Sequence, residues 1–221
     1  ISQSYQDGGI LTARYNHEAG AGTDGSTVVT DPRGNATMRE YTWAGGFGYD
    51  VNRATDALGR TTTFERNGSG RLLTGIVDFR GRRTDQTWDA SGNMLSLTRP
   101  TAAGGTATRR AIYDATWNKP ISITDERSHT TLFTIDAITG NVTGLTDARG
   151  NTTAFSYAAN GDLVSTTTPA PLSQTTTFSY TADGDIERIT DPLGRTTVYT
   201  YDAASRRTAI RDANLKTVQF G

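Results

Sequence analysis

The chain has 221 residues, of which 34% are hydrophobic, and it contains no cysteine. Its 22 basic and 23 acidic side chains leave a net charge of -1, which excludes a broad basic surface for nucleic acid. The lack of cysteine excludes disulfides and cysteine-based metal sites, and no apolar run approaches the roughly 18 residues of a membrane-spanning helix. We therefore expect neither a nucleic-acid partner nor a membrane span.

A repeat organises the chain after its first 30 residues. Residues 1–30 match the repeat only loosely and predict an irregular or degenerate copy, whereas residues 31–221 predict a regular array. In this array an aspartate returns at intervals of about 22 residues or about twice that, and the double intervals keep half a unit at 110–122 and 175–189. Each unit is expected to be one supersecondary element that stacks on its neighbours. The recurring aspartates are Asp31, Asp56, Asp78, Asp125, Asp147, Asp191 and Asp212.

Each unit contains two predicted turns. In "DPRG" (31–34) and "DPLG" (191–194), Asp suits the first position of a type I turn, Pro the second and Gly the fourth. The sequences "NGD" (160–162) and "DGD" (183–185) indicate a second turn, because Gly and Asn accept positive φ. The Gly-rich segments 44–48 and 102–105 predict longer connections between hairpins.

The segments between the turns are predicted to be strands. "TTAFSY" (152–157) and "TTVYTY" (196–201) are rich in β-branched and aromatic residues and alternate with period two. This alternation puts Phe155 and Tyr157 on one face with Thr153, and Tyr199 and Tyr201 on one face with Thr197. The sequence therefore predicts an all-β chain of antiparallel hairpins, with no helix longer than a couple of turns.

The pattern resembles the RHS repeat, also called the YD repeat, of bacterial RHS proteins, insecticidal toxin-complex shells, wall-associated repeat proteins and teneurins. The direct matches to the repeat consensus are Asp191, Pro192, Gly194, Arg195, Tyr199, Tyr201 and Asp202. Trp88–Asp89 and Ile135–Asp136 follow it with Trp or Ile in place of Tyr. The resemblance implies hairpins of about 22 residues in a curved, spiralling sheet, a segment of an RHS-type β-shell. The defining turn and aromatic residues are Asp31, Pro32, Gly34, Asp56, Gly59, Asp78, Gly81, Trp88, Tyr113, Asp114, Asp125, Phe133, Asp147, Gly150, Phe155, Tyr157, Phe178, Tyr180, Asp191, Pro192, Gly194, Tyr199, Tyr201 and Asp202.

No catalytic, cofactor-binding or metal-binding residue is predicted, so the chain is not expected to be an enzyme. The aspartates occupy turn positions, which argues against the paired carboxylates of a glycosidase. His17 and His129 are too few and too far apart in sequence to indicate a metal site. "TDG" (23–25) and "DGD" (183–185) lack the alternating carboxylates and the terminal Glu of a calcium loop.

The resemblance implies a structural function. The first hypothesis is a shell wall that encloses and shields a toxin or other polypeptide cargo, secreted or at the cell surface of a bacterium. The alternatives are a carbohydrate-binding or adhesion module that uses its aromatic stripe, and an extracellular assembly component. Expected partners are further repeats of the same longer chain or another copy, the cargo, and carbohydrate. The array stops within a repeat, so we expect a window of a longer protein. The autoproteolysis motif of the family is not found, and no self-cleavage or toxicity is expected.

Overall fold

A computed structural model of the protein describes residues 2–4, 10–17, 25–43, 49–68 and 71–220. Within these ranges the backbone forms strands joined by turns, bends and short irregular positions, and no helix is formed. The prediction of an all-β, antiparallel chain is confirmed. The chain divides into two compact units, Ile1–Arg110 and Ala111–Gly221, which are described separately.

The first unit is a run of antiparallel strands in which each described strand pairs with the next one along the chain. Its last strand, β10, continues beyond Arg110 into the second unit. The strands are β1 (Ser2–Ser4), β2 (Ile10–His17), β3 (Gly25–Thr30), β4 (Ala36–Trp43), β5 (Tyr49–Thr55), β6 (Thr61–Arg66), β7 (Leu73–Val77), β8 (Arg83–Trp88), β9 (Met94–Pro100) and β10 (Thr106–Tyr113).

The second unit repeats this arrangement, again with antiparallel pairing between strands that follow one another in sequence. One repeat contributes two strands, as in the hairpin of β14 and β15. The strands are β11 (Pro120–Thr124), β12 (Thr130–Ile135), β13 (Val142–Thr146), β14 (Thr152–Tyr157), β15 (Leu163–Thr167), β16 (Thr175–Tyr180), β17 (Ile186–Thr190), β18 (Thr196–Tyr201), β19 (Arg207–Arg211) and β20 (Thr217–Gln219).

The two faces of the sheet carry different side chains. In β14 the residues alternate, so that Thr153, Phe155 and Tyr157 are half-buried while Ala154 and Ser156 are exposed. We call the side of Phe155 and Tyr157 the aromatic face, and the opposite side the hydroxyl face. The hydroxyl face is named for cross-strand bonds between hydroxyl groups, which include Thr146–Thr152 (2.7 Å), Ser156–Ser165 (2.5 Å) and Thr167–Thr175 (2.9 Å).

Neither unit has a core of the usual kind. Among the described residues no apolar side chain is buried, and the one buried polar residue is Thr27. A sheet is normally stabilised by a second layer that covers its apolar face. The described strands of each unit instead form a single layer, in which neighbouring strands supply the packing. Cross-strand pairs, each contributing about 0.2–1 kcal/mol, are therefore the main source of stabilisation within a unit.

A β-bulge recurs in the hairpins, at the same position of the repeat. In β14 and β15, Ser156 pairs with Ser165 and Tyr157 with Leu163, so Val164 has no direct partner. A bulge of this kind bends its strand and increases the local twist. The sequence analysis did not foresee it. The positions that the strand register skips in this way are Asn52, Thr74, Leu95, Thr143, Val164, Glu187 and Thr208.

The predicted long connection at 102–105 is wrong. Residues 101–105 form an ordinary five-residue turn, in which Gly104 donates to the carbonyl of Thr101 and Thr101 donates to the carbonyl of Gly105. The Thr101 hydroxyl accepts the N–H of Gly105 at 3.2 Å, a role that aspartate has in other units. The longer connection lies instead at 168–174, where Thr168 donates to the carbonyl of Gln174. The other predicted long connection, 44–48, lies outside the described residues.

Candidate functional site

The recurring feature of the repeat is a turn closed by an aspartate. At Asp191 the backbone forms a β-turn, in which the Gly194 N–H donates to the Asp191 carbonyl at 2.9 Å. The Asp191 carboxylate then accepts the backbone N–H groups of Leu193 and Arg195, both at 2.9 Å, through Oδ1. Its other oxygen, Oδ2, accepts from Arg195 Nε at 2.6 Å. One carboxylate therefore satisfies three donors of the same turn.

The same capping occurs at both ends of the hairpins. Two backbone N–H groups of the turn bond to Oδ1 at each of these aspartates. In most of them the side chain four residues later bonds to Oδ2. The aspartates are Asp31, Asp56, Asp78, Asp89, Asp125, Asp147, Asp191, Asp202 and Asp212.

The side chain four residues after each aspartate was missed in the sequence analysis. In eight of the nine turns this side chain bonds to the carboxylate: Arg at 60, 82, 195 and 206, Asn at 35, 93 and 151, and His at 129. All three residue types can donate to a carboxylate. The spacing Asp-x-x-x-Arg/Asn is visible in the repeat, and this signal could have indicated the pairing.

These hydrogen bonds lower the pKa of several of the aspartates, among them Asp147, Asp191 and Asp202. For Asp147 the leading cause is the side-chain amide of Asn151, followed by the backbone N–H of the same residue. For Asp202 the leading cause is the backbone N–H of Arg206, followed by its guanidinium. For Asp191 desolvation acts in the opposite direction, yet the bonds from Arg195 and Leu193 still lower the pKa. Hydrogen bonds to the charged form of an acid have this effect.

The turns that begin at Asp114 and Asp136 are one residue longer than the other aspartate-capped turns, and they contact each other. The Asp114 carboxylate accepts the N–H groups of Thr116 and Trp117, and the Asp136 carboxylate accepts those of Ile138 and Thr139. The Trp117 indole donates to the carbonyl of Ala137 at 3.3 Å, and Lys119 Nζ donates to that of Gly140 at 2.6 Å. These bonds join consecutive repeats at their turns.

The aromatic residue just before the second turn joins each hairpin to the preceding one. The Tyr157 hydroxyl donates to the carbonyl of Val142 at 2.9 Å. Tyr180 and Tyr201 make the equivalent bonds to Leu163 and Ile186, both at 2.8 Å. In the first unit Trp88 replaces tyrosine, and its indole Nε1 donates to the carbonyl of Leu73 at 2.6 Å. Tyr113, the last residue of β10, is half-buried.

A second aromatic lies two residues earlier and packs against the other strand of its hairpin. Its directly opposite partner is an apolar or β-branched residue, an arrangement that stabilises antiparallel sheets. The pairs in the second unit are Phe133–Leu145, Phe155–Thr166, Phe178–Ile189 and Tyr199–Ile210.

The fourth position of the turns requires positive φ. Gly34, Gly59, Gly81, Gly150 and Gly194 have φ values between 76° and 84° there. Other turns place a residue with a side chain at this position, namely Ser128 (φ 66°), Ser205 (φ 56°) and Leu215 (φ 65°). The left-handed region is unfavourable for such residues, and leucine lacks the side-chain hydrogen bonding that can compensate.

Among the residues that it describes, the structure brings together no metal-binding set. No group of three or more His, Asp or Glu side chains there could hold a metal ion. His129 is exposed, and its Nδ1 lies 3.2 Å from Asp125 Oδ2 within one turn. The side chain of His17 and residues 23–24 lie outside the described part. No helix with the length and apolar character to cross a membrane occurs in the described ranges.

Comparison with known families identifies the repeat. The family model described as RHS Repeat matches residues 50–83, 139–171 and 180–217. These segments begin and end within the hairpins described above and contain their capped turns. The resemblance seen in the sequence is thus confirmed, and these three segments match the RHS repeat.

Comparison with whole proteins gives weaker likenesses. No curated protein matches the chain in sequence. Among solved structures, a TcdB2-TccC3 structure without its hypervariable C-terminal region is 14% identical, with a TM-score of 0.45 over 97% of this chain. The TcdB2-TccC3-Cdc42 structure is 15% identical, with a TM-score of 0.44 over 88% of the chain. A Photorhabdus luminescens Tc holotoxin pore is 14% identical, with a TM-score of 0.44 over 99%. The chain spans only 14% to 16% of the length of these proteins.

Proposed function

We propose that the chain is a stretch of wall in an RHS-type shell, and that this shell encloses a toxin or other polypeptide cargo. One observation carries the proposal. The described strands of each unit form a single layer with half-buried aromatics on one face and no buried apolar side chain. A sheet that does not cover its own apolar face is suited to line a space larger than its side chains can fill.

The proposed role is structural and not enzymatic. The carboxylates of the repeat are occupied in closing turns, as at Asp147, where they accept N–H groups and a side-chain amide. A general acid or base needs a carboxyl group positioned to exchange protons with a substrate. The capping carboxylates instead accept hydrogen bonds from their own turns, and these contacts do not indicate a role as general acid or base.

The partners of such a wall are further RHS repeats, in the same longer chain or in another copy, together with the cargo. Secretion from a bacterium, or display on its surface, is the setting in which a protective shell is useful. Binding of carbohydrate by the aromatic stripe is the competing hypothesis. The polar groups of Tyr157, Tyr180 and Tyr201 already donate to backbone carbonyls, so these residues have a packing role without any ligand.

Limited proteolysis of the intact natural polypeptide tests the proposal. We expect a core that resists protease under native conditions and that releases a protected, non-RHS polypeptide when the shell is denatured. Mass spectrometry would identify that polypeptide. Digestion of all non-RHS sequence under native conditions would contradict the shell function. Saturable binding on a glycan array, lost when Phe155 and Tyr199 are replaced, would favour the carbohydrate hypothesis instead.

A further inference from the structure

Two arginines lie on either side of one valine on the hydroxyl face of the second unit. Val198 of β18 is directly opposite Arg188 of β17 and also directly opposite Arg211 of β19. Neighbouring strands are about 4.8 Å apart, so the Cα atoms of the two arginines are separated by about 9.6 Å. Both arginines are exposed, whereas Val198 is half-buried. The stems of arginine side chains commonly lie along apolar surface.

The repeat itself does not require arginine at these positions. Residues equivalent to Arg188 are small in most hairpins, as in Gly75, Ser96, Gly144, Ser165 and Ala209, while the first unit also has Arg53 at this position. Those equivalent to Arg211 include Thr124, Thr146, Thr167 and Thr190. The other charged residues in the strands β11–β20 are Glu187 and Arg207. Arg207 stacks on the aromatic rings of Phe220 (5.1 Å) and Tyr199 (6.0 Å). Departures from a repeat without a structural gain indicate function.

The first unit shows what an arginine on this face binds. Arg83 donates through both Nη atoms to the Glu65 carboxylate, at 2.7 and 2.6 Å, and through Nε to Asp85 at 2.6 Å. Gly75 lies between these strands, and a side chain there would contact Arg83 and Glu65. Arg53 on the same face lies 3.4 Å from Glu40. In contrast, neither Arg188 nor Arg211 has a carboxylate partner within the described part of the second unit.

We propose that Arg188 and Arg211 form a binding site for the carboxylates of an acidic polypeptide segment. Arginine binds carboxylates through two parallel hydrogen bonds, as Arg83 does with Glu65. In an extended peptide, side chains two residues apart point the same way and are about 6.8 Å apart. Two flexible arginine side chains can therefore each reach one carboxylate of such a peptide, while Val198 provides an apolar contact between them.

The arrangement fits an acidic peptide better than a nucleic acid. Nucleic acids are bound through an extended basic stripe that contacts many phosphates. Here the two arginines, Arg188 and Arg211, lie in strands that contain few other charged residues, and the net charge of the chain is -1. Their in-register partners are Ser179 next to Arg188 and Thr217 next to Arg211, both hydrogen-bonding side chains. The proposal concerns the ligand of this face and does not depend on the shell function.

Fluorescence anisotropy with the 221-residue chain tests the site. The probe is a short labelled peptide in which Glu alternates with Ser, compared with the same peptide carrying Gln for Glu and with an oligothymidylate of equal charge. We expect the Glu peptide to bind at low salt and the Gln peptide not to bind. Absence of binding by the Glu peptide, or tighter binding of the oligothymidylate, would overturn the proposal.

Substitutions locate the site. Arg188→Gln and Arg211→Gln should each weaken binding about tenfold, as expected for loss of a charge-assisted hydrogen bond. Arg127→Gln and Arg149→Gln change the net charge equally at exposed turn positions of the same unit, and should change the affinity by less than about twofold. Equal weakening by all four variants would mean non-specific attraction and refute the site. If Arg188→Gln does not fold, Arg188→Lys replaces it as the test. Lysine keeps the positive charge but cannot form two parallel hydrogen bonds, so we expect an affinity between those of the wild type and of a variant without the charge.

Discussion

The hydroxyl of Tyr180 donates a 2.8 Å hydrogen bond to the backbone carbonyl of Leu163, which belongs to the preceding hairpin. Backbone pairing between their strands, β16 and β15, extends only to Thr177 and Ser165. The tyrosine therefore continues the link between hairpins beyond the end of the backbone ladder. Its pKa is raised by desolvation and by the nearby Asp162, as expected for a phenol that keeps its proton.

Replacing Tyr180 by Phe removes this bond and leaves the ring in place. We expect the free energy of unfolding to fall by about 1 kcal/mol, because the Leu163 carbonyl loses its donor. Urea denaturation measures the change. Tyr199→Phe is the matched control, since the hydroxyl of Tyr199 has no hydrogen-bond partner among the described residues. Equal losses in the two variants would show that the bond to Leu163 contributes nothing.

A substitution at Leu215 is predicted to stabilise the protein, in contrast to Tyr180→Phe. Its φ of 65° is unfavourable for leucine, and its side chain is 72% exposed, so little packing compensates. Glycine relieves the strain at this φ but also increases the conformational entropy of the unfolded chain, which offsets part of the gain. Leu215→Gly should therefore raise the free energy of unfolding by about 0.5–1 kcal/mol. Leu193→Gly, in a sister turn, removes an equally exposed leucine (75%) without relieving positive φ, and should destabilise slightly. Thermal melting of both variants distinguishes these outcomes, and a loss in Leu215→Gly would contradict the strain argument.

The sequence predicted those parts of the structure that depend on local interactions. The turn at Asp191 is closed by bonds within five residues, and the alternation in β14 follows from strand geometry alone, so both could be foreseen. The bond from Tyr157 to Val142 joins residues of different hairpins, and the bulge at Val164 depends on how β15 pairs with β14. Neither is encoded in a local pattern. The turn at 101–105 was misjudged because a threonine hydroxyl can replace the aspartate carboxylate.

Gly140 and Gly150 both need a positive φ, but only Gly140 is also in close contact with a side chain. Both have positive φ, 71° and 84° respectively. A Cβ at Gly140 would lie 2.5 Å from the Trp117 ring, whereas one at Gly150 would have no atom within 4 Å. Gly150→Ala should cost about 1–2 kcal/mol from the backbone alone, and Gly140→Ala about 1–3 kcal/mol more because the indole must move. Chemical denaturation and the near-ultraviolet signal of Trp117 measure this, and equal costs would show that the contact between the turns is not needed.

The capping aspartates predict a loss of stability in acid. The pKa values of Asp147 and Asp202 lie below the ordinary value of 3.8, chiefly because of the Asn151 amide and the Arg206 backbone N–H. A group with a lowered folded pKa stabilises the native state fully above its unfolded pKa, and this stabilisation disappears as the pH falls through the folded value. The melting temperature of the protein should therefore decrease between about pH 5 and about pH 2.

Substitution identifies the groups responsible. Asp147→Asn and Asp202→Asn keep an oxygen that can accept the N–H groups of the turn, but they cannot titrate. The doubly substituted protein should melt at a lower temperature than the wild type near neutral pH, because two charged acceptors are replaced by neutral ones. Its melting temperature should also fall less on acidification. Asp183→Asn removes one carboxylate, as each of the two substitutions does, at an exposed turn residue whose carboxylate accepts no hydrogen bond within the described residues, and should leave the acid-induced decrease unchanged. An acid-induced decrease as large in the doubly substituted protein as in the wild type would place the responsible groups elsewhere than in these turns.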